Sequence, residues 1–151
     1  MKEIKIRDFV IIVVGIIIDI LSKSYIVSNY ALYESKELIP GFLSITYIQN
    51  TGAAWNLLEG RLILFYVLTV VAIVFMAYMY YTTHIRLQKI AFALMISGTL
   101  GNFIDRVRLG YVIDFINTII FTYDFPVFNV ADSCLVIGAI VLIISLIKYK
   151  E

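Results

Sequence analysis

Long apolar runs separated by short polar stretches dominate the hydrophobic pattern of this chain. The runs fall into four segments, at about residues 8–27, 62–81, 88–106 and 130–147. A hydrocarbon core about 30 Å thick needs about 20 mostly apolar residues in a helix that rises about 1.5 Å per residue. The pattern therefore predicts four transmembrane helices, and the remainder is too short for a separate soluble domain. We expect one integral membrane domain over residues 1–151.

The first long connection, at about residues 28–61, has its own pattern. FLSITYI, residues 42–48, alternates in part like a half-exposed strand. The following NTGAAWNLLEG suits a turn and then a short interfacial helix over residues 53–58, with Trp55 at the level of the lipid head groups. This connection is either an ordinary amphipathic loop or a cap that holds an extended substrate.

The second long connection, at about residues 107–129, contains YVIDFI and YDFP. The apolar neighbours of Asp114 favour docking against the membrane surface, and the turn at Pro126 can fold the segment back. Together the patterns predict an all-α membrane protein. We expect a four-transmembrane-helix bundle with a small extracytoplasmic cap containing β-structure and an outer loop between helices 3 and 4.

Composition and charge agree with a membrane protein and add an orientation. Apolar residues make up 62% of the chain and charged residues 15%, and the mean hydropathy is +0.94. The net charge of +1 gives no argument for a nucleic-acid partner. Basic residues that flank the spans are retained on the cytoplasmic side, and here they fall on one side of the predicted bundle: Lys2, Lys5, Arg7, Arg86, Lys89, Lys148 and Lys150. Both termini are therefore expected in the cytoplasm.

The counts of cysteine and histidine exclude several kinds of chemistry. Cys134 is the only cysteine, so an internal disulfide is excluded, and its place in an apolar span favours a small packed side chain. His84 is the only histidine, and it lies in the predicted cytoplasmic link. It cannot serve a serine or cysteine nucleophile on the opposite face. Acid and base chemistry at the outer face must therefore come mainly from carboxyl groups.

Polar residues within the spans are costly in hydrocarbon and are therefore either paired or functional. In DILSK, Asp19 and Lys23 lie four residues apart on one helical face, which suits an ion pair that holds two helices together. In GTLGNFIDRVR, Asn102 and Arg106 have the same spacing. Asp105 points elsewhere on that helix, where it either serves the site or marks a helix interface.

The directions of the helices bring these groups together. Helices 1 and 3 run outward and carry their polar residues late, whereas helix 4 runs inward and begins with FNVAD, which contains Asn129 and Asp132. The polar groups therefore converge on the outer half of the bilayer. Asp114, just before helix 4, and Asp132 are candidates to meet face to face.

These residues leave three classes of protein open. A membrane protease would use the carboxyl pair, and a small proton-coupled transporter would use the same charged residues. The transporter is weakened because spans 2 and 4 lack polar groups toward the cytoplasm, which alternating access would require. The third class is a non-enzymatic assembly factor with structural ion pairs.

Five motifs resemble one known family. DILSK, NTGAAW, GTLGNFIDR, YVIDFI and FNVAD occur in this order across the four spans, from Asp19 to Asp132. The set resembles the lipoprotein signal peptidase family (signal peptidase II). The resemblance implies an aspartic intramembrane protease of the bacterial cytoplasmic membrane, which cuts prolipoproteins just before a cysteine that carries diacylglycerol. It also implies inhibition by the cyclic peptide globomycin.

The resemblance also implies roles for individual residues. Asp114 and Asp132 match the catalytic pair, and Asp19 and Lys23 match the motif in the first span. Positions that line or support the site are matched by Asn50, Gly52, Asn102, Arg106 and Asn129. No metal or organic cofactor is implied, and the expected partners are prolipoproteins and membrane lipids, with the chain acting as a monomer.

The chemistry of a carboxyl pair suits such an activity. Two adjacent carboxyl groups share one proton, so one acts as base toward a water molecule while the other acts as acid toward the scissile carbonyl. We expect Arg106 and the asparagines to hold the substrate backbone in an extended form by hydrogen bonds. Proteolysis without a covalent enzyme intermediate follows from this arrangement.

Overall fold

A computed structural model describes residues 5–52 and 61–149 of the chain, and within them four helices and four strands. Their order is α1 (Ile6–Asn29), β1 (Ser35–Ile39), β2 (Leu43–Asn50), α2 (Leu62–Thr82), α3 (Arg86–Leu109), β3 (Val112–Ile120), β4 (Tyr123–Asp124) and α4 (Val130–Lys148). All four helices are long and apolar enough to cross a membrane. The prediction of four spans with a β-containing cap is confirmed.

Helix α3 occupies the centre of the bundle, where it packs against the other three helices. In its most apolar stretch 44% of the residues are buried inside the protein, compared with 11% to 17% in the other helices. Its mean hydropathy there is also lower, at 1.3 compared with 2.3 to 2.6. A central helix contacts protein rather than lipid, so it can carry the polar residues of a site.

Small residues allow the helices to approach α3 closely. A Cβ added at Gly98 would come within 2.2 Å of the Ala131 carbonyl oxygen on α4. A Cβ at Gly101 would come within 2.7 Å of the Asp19 carboxyl group on α1. These two glycines therefore let α1 and α4 present their polar residues to the same part of α3.

The connections between the helices form antiparallel strands in the order β1-β2-β3-β4. The predicted strand at residues 42–48 is β2, which extends to Asn50. Its pairing with β3 sets Asp114 opposite Ile48. A small core formed by Ile26, Tyr47, Ile113 and Phe115 packs the strands against the C-terminal end of α1.

The connection between α3 and α4, expected to be an outer loop, is largely a hairpin. Strand β3 begins at Val112, the second residue of YVIDFI, and the chain reverses at Phe121 and Thr122, which both have positive φ. Pro126 lies beyond β4, so the reversal is made before it rather than at the YDFP turn. Phe128 then returns to β3 and pairs with Ile116.

Some predicted features lie outside the described residues. The interfacial helix expected over residues 53–58, including Trp55, falls there, as do Lys2 and Lys150.

Candidate active site

Asp114 and Asp132 are brought together by one asparagine. Asn129 is the N-cap of α4, and its side-chain oxygen accepts a hydrogen bond of 2.9 Å from the Asp132 backbone N–H. The Asp132 carboxyl group accepts in return from the Asn129 backbone N–H at 3.2 Å, which completes a capping box. The Asn129 side-chain amide donates to Asp114 Oδ1 at 2.7 Å. The start of α4 thus fixes both carboxyl groups.

Two further amides hold the other carboxyl oxygens. Asn102 on α3 donates to Asp132 Oδ1 at 2.7 Å, and Asn50 at the end of β2 donates to Asp114 Oδ2 at 2.8 Å. Each carboxyl group therefore receives hydrogen bonds from two different parts of the fold. Such support fixes the orientation of both groups before any ligand is bound.

The environment of Asp114 favours its protonated form. The residue is only 2% exposed, and burial raises the pKa of its carboxyl group, with the nearby charge of Asp132 as the second cause. The hydrogen bonds from Asn50 and Asn129 oppose this shift but do not cancel it, and the pKa lies at about 7. A carboxyl group that titrates near neutral pH can serve as a proton donor.

A buried network of charged residues lies next to the carboxyl pair, between α1 and α3. Lys23 Nζ lies 2.7 Å from Asp19 and 2.9 Å from Asp105, and it donates to Asn102 Oδ1 at 3.1 Å. Asp19 also accepts from the Ala131 backbone N–H. This arrangement favours the structural interpretation of the Asp19–Lys23 pair, because the network joins α1, α3 and α4 behind the carboxyl pair.

Asp105 has a structural place in the same network. Besides Lys23, it accepts a hydrogen bond from the Ile113 backbone N–H, next to Asp114. It therefore anchors strand β3 to helix α3 rather than facing the site.

Arg106 and Gly52 shape the rim of the site. The Arg106 guanidinium donates to the Gly52 carbonyl oxygen at 3.0 Å and lies over the Phe65 ring, 4.4 Å from its centroid. The Gly52 N–H donates to the Asn50 side chain. Arg106 therefore orders the turn that holds Asn50 against Asp114.

A cavity of about 940 Å³ lies in front of the carboxyl pair. Its polar lining includes both aspartates, Asn50, Asn102 and Arg106. Its other walls are mostly apolar and include Phe65, Phe125, Leu135, Val136 and Ile137. A mostly apolar cavity with a few convergent polar groups is typical of a site for a large, partly apolar ligand.

The structure brings together the site residues indicated by the sequence. The side-chain amides of Asn50, Asn102 and Asn129 donate to the two aspartates. The expected hydrogen bonds from these asparagines to a substrate backbone stay a prediction. Phe65 was missed, because an aromatic residue in an apolar span carries no distinguishing signal.

No group of three or more His, Cys, Asp and Glu side chains in the described ranges is arranged to hold a metal ion.

The fold and the site define a class of protein: a multi-spanning membrane protein with a hydrogen-bonded carboxyl pair at one end of its bundle. Comparison with known proteins identifies the family. A family model described as "Signal peptidase (SPase) II" matches residues 11–148.

Curated relatives and solved structures agree with the family model. A lipoprotein signal peptidase of Enterococcus faecalis is 48% identical over 132 residues, covering 86% of this chain and 81% of the relative. One of Staphylococcus aureus is 43% identical over 143 residues, covering 93% and 88%. The chain belongs to the signal peptidase II family, and it is a membrane-embedded hydrolase of the peptidase class.

Two solved structures share the fold. A structure described as "Bacterial membrane enzyme structure by the in meso method at 2.3 A resolution" superposes with a TM-score of 0.92 at 40% identity, covering 99% of this chain and 93% of the other. A second, described in the same words at 1.9 Å, gives 0.89 at 41% identity, with 98% and 97% covered. The similarity extends over all four helices and the cap.

Proposed function

We propose that this protein removes signal peptides from bacterial prolipoproteins by cutting on the N-terminal side of a diacylglyceryl-modified cysteine. The observation that carries the proposal is the buried pair of Asp114 and Asp132, joined through Asn129 at the end of a large cavity. The names of the relatives, which are lipoprotein signal peptidases, support the substrate class.

The two aspartates take different roles in this mechanism. Asp114 has a pKa of about 7 and is the group that carries the shared proton. Asp132 lies in the first turn of α4, where the helix dipole stabilises a negative charge by about 0.3 to 1 kcal/mol. Asp132 is thus the base and Asp114 the acid.

Hydrolysis then follows in two steps. A water molecule attacks the scissile carbonyl carbon as Asp132 takes its proton, and Asp114 gives its proton to the carbonyl oxygen. When the tetrahedral intermediate collapses, the proton on Asp132 passes to the leaving amine, and the hydroxyl proton returns to Asp114. The enzyme ends in its starting state without forming a covalent bond to the peptide.

The mixed walls of the cavity suit a lipid-bearing peptide. The apolar side chains of Leu135, Val136 and Ile137 line it along α4, where acyl chains of the modified cysteine can remain close to the bilayer. Arg106 lies beside both aspartates at the rim and is the group placed to bind the peptide backbone. The lipid then sets the depth at which the peptide bond meets the carboxyl pair.

The proposal includes the setting in the membrane. The carboxyl pair faces the outer side of the bacterial cytoplasmic membrane, where a secreted precursor emerges, and both termini face the cytoplasm. The basic residues at one end of the bundle support this orientation. The enzyme acts as a monomer.

The test uses purified protein in lipid nanodiscs with a diacylglyceryl-modified prolipoprotein, and it follows the release of signal peptide. Asp114→Asn and Asp132→Asn should each lower the rate by at least about 100-fold, since each removes a proton-transfer group. Glu37→Gln is the matched control, because Glu37 is an exposed acidic residue on β1 that does not line the cavity. It should retain normal cleavage.

An unlipidated precursor serves as the second comparison, and it should be cleaved poorly by the native enzyme. Equal turnover of the two precursors would contradict the proposal that the lipid sets the depth at which the peptide bond meets the carboxyl pair. Cleavage that survives either substitution in a folded variant would remove that aspartate from the mechanism. A native protein that cleaves neither precursor would return the transporter and the assembly factor to consideration.

A further inference from the structure

A second polar site lies at the opposite end of the bundle from the aspartates. It is a cavity of about 210 Å³ where the start of α1, the end of α2 and the start of α3 meet. Lys89 at this end and Asn102 in the active site are thirteen residues apart on α3, a separation of about 20 Å at 1.5 Å per residue. The cavity is therefore separate from the active site.

The lining of this cavity is strongly basic. Lys5 and Arg7 contribute from α1 and the residue before it, Thr83 and His84 from the link, and Arg86 and Lys89 from the first turn of α3. Asp8 is the acidic residue in the first turn of α1, and it forms an ion pair with Arg7. The four Lys and Arg side chains thus leave three formal positive charges around the cavity.

The floor of the cavity is a fixed network of buried groups. Asp8 is fully buried and accepts a hydrogen bond of 2.8 Å from the Tyr80 hydroxyl. The Tyr80 ring in turn lies beneath Lys89, whose Nζ is 4.7 Å from the ring centroid. The charge of Asp8 is therefore balanced by Arg7, its other carboxyl oxygen accepts from Tyr80, and the Lys89 ammonium group contacts the Tyr80 ring.

Lys89 is the observation that indicates a ligand. Lys89 is only 9% exposed, and its ammonium group contacts the Tyr80 ring. No carboxyl group in the described part of the chain lies within ion-pair distance of it. A largely buried residue whose ammonium group has no paired anion is costly. Because Lys89 lines the cavity, an anion bound there would supply the missing charge.

The start of helix α3 adds to the attraction for an anion. None of the described side chains caps this helix end by accepting from its first turn, and the free N–H groups and the helix dipole favour negative charge there. Phosphate is the anion that a cluster of Lys and Arg at a helix N-terminus binds well.

The place of the cavity indicates how the phosphate is presented. It lies at the ends of three membrane helices, at the level of the lipid head groups. From Arg7, the exposed side chains of Val10 and Val14 continue on the same face of α1 into the hydrocarbon region. A phospholipid can therefore place its phosphate in the cavity and its acyl chains along α1.

We propose that the cavity lined by Lys5, Arg7, Thr83, His84, Arg86 and Lys89 binds the phosphate of an anionic phospholipid head group. Basic pockets between transmembrane helices are suited to such head groups. The bound lipid neutralises Lys89 and ties the start of α1 to the link between α2 and α3.

The test measures lipid retention by native mass spectrometry on the full-length protein released from mixed phosphatidylglycerol and phosphatidylcholine micelles. The native protein should retain one phosphatidylglycerol in preference to phosphatidylcholine. Lys5→Gln with Arg86→Gln, two exposed rim residues, should weaken retention about 25-fold, about fivefold for each charge. Lys89→Gln should also weaken the retention of phosphatidylglycerol, because it removes the ammonium group of the cavity.

Lys148→Gln is the matched control, since Lys148 is an exposed basic residue at the same end of the bundle but outside the cavity. Its retention of phosphatidylglycerol should stay normal. An equal loss in this variant would show diffuse surface attraction and overturn the proposal, as would equal retention of the two lipids.

Competition with inorganic phosphate distinguishes the two sources of a phosphate group. Millimolar phosphate should leave the bound lipid in place. Displacement of the lipid by phosphate at that concentration would assign the cavity to a soluble anion and overturn the lipid assignment. If Lys89→Gln does not fold, the rim variant carries the test, because Lys5 and Arg86 are exposed.

Discussion

At the scale of single residues, the geometry of the site is determined by the hydrogen bonds that orient its two carboxyl groups. Asn129 caps α4 and contacts both aspartates, while Asn50 and Asn102 hold the remaining oxygens. The motifs and the family resemblance indicated which residues to expect at the site. They could not show that the amides face the aspartates, because that depends on the register of β3 against β2 for Asn50 and on the packing of α4 against α3 and β3 for Asn102 and Asn129.

The pH dependence of cleavage belongs to this scale. In the proposed mechanism Asp114 must be protonated to act as the acid, and its pKa lies at about 7. We expect cleavage to fall about tenfold per pH unit above that value, because the protonated fraction then falls tenfold per unit. Initial rates with a lipidated precursor from pH 5 to 9 measure this. A rate that stays constant from pH 7 to 9 would contradict the assignment of Asp114 as acid.

The same group makes folding stability depend on pH. The pKa of Asp114 is about 7 in the folded protein and about 3.9 in an unfolded chain. Between these values the folded state binds more protons, so the free energy of unfolding decreases as the pH rises. The Asp114→Asn variant lacks this titrating group, so its free energy of unfolding should decrease less steeply as the pH rises. Thermal unfolding in detergent at several pH values gives the comparison.

At the scale of elements, the central helix α3 owes its place to small residues and not to its hydropathy. Its apolar stretch has the lowest hydropathy of the four spans, yet it is the most buried, because Gly98 and Gly101 let its neighbours approach. The sequence alone could not identify which helices approach at these glycines.

Gly98→Ala is the prediction at this scale. The added Cβ would lie within 2.2 Å of the Ala131 carbonyl oxygen and 2.9 Å of the Leu135 side chain. Because the first neighbour is backbone, α4 must move, and we expect a loss of about 1 to 3 kcal/mol in stability. Thermal unfolding in detergent measures this loss, and cleavage should fall with it, since α4 carries Asp132.

The matched control is Val107→Ala on the same helix, because Val107 is exposed. It should change the unfolding temperature little. Equal effects of the two substitutions would show that Gly98 is not a packing position.

At the scale of the whole molecule, two polar ends are separated by an apolar middle. One end carries the aspartates beneath the β-strands, and the other carries Lys5, Arg7, Arg86 and Lys89. The basic end should face the cytoplasm, because positive residues are retained there during insertion.

Labelling of single cysteines tests this orientation. In a Cys134→Ala background, Tyr33→Cys, exposed near the strands, should react in intact cells with a membrane-impermeant thiol reagent. Lys148→Cys should react only after the membrane is permeabilised. The reverse pattern would show that the bundle is inverted, and labelling of both in intact cells would contradict a topology with outer and inner ends.

The four spans and the β-containing cap were predicted from the sequence alone, and the motifs indicated which polar residues to expect near the site. Runs of about 20 apolar residues specify spans because of the thickness of the bilayer, and rare polar residues within them indicate a site because charge in hydrocarbon is costly. Only the tertiary structure decided that Lys23 joins Asp19 to Asp105. It also revealed the buried Asp8 and Lys89, because contacts between helices depend on their rotation and packing, which local sequence does not specify.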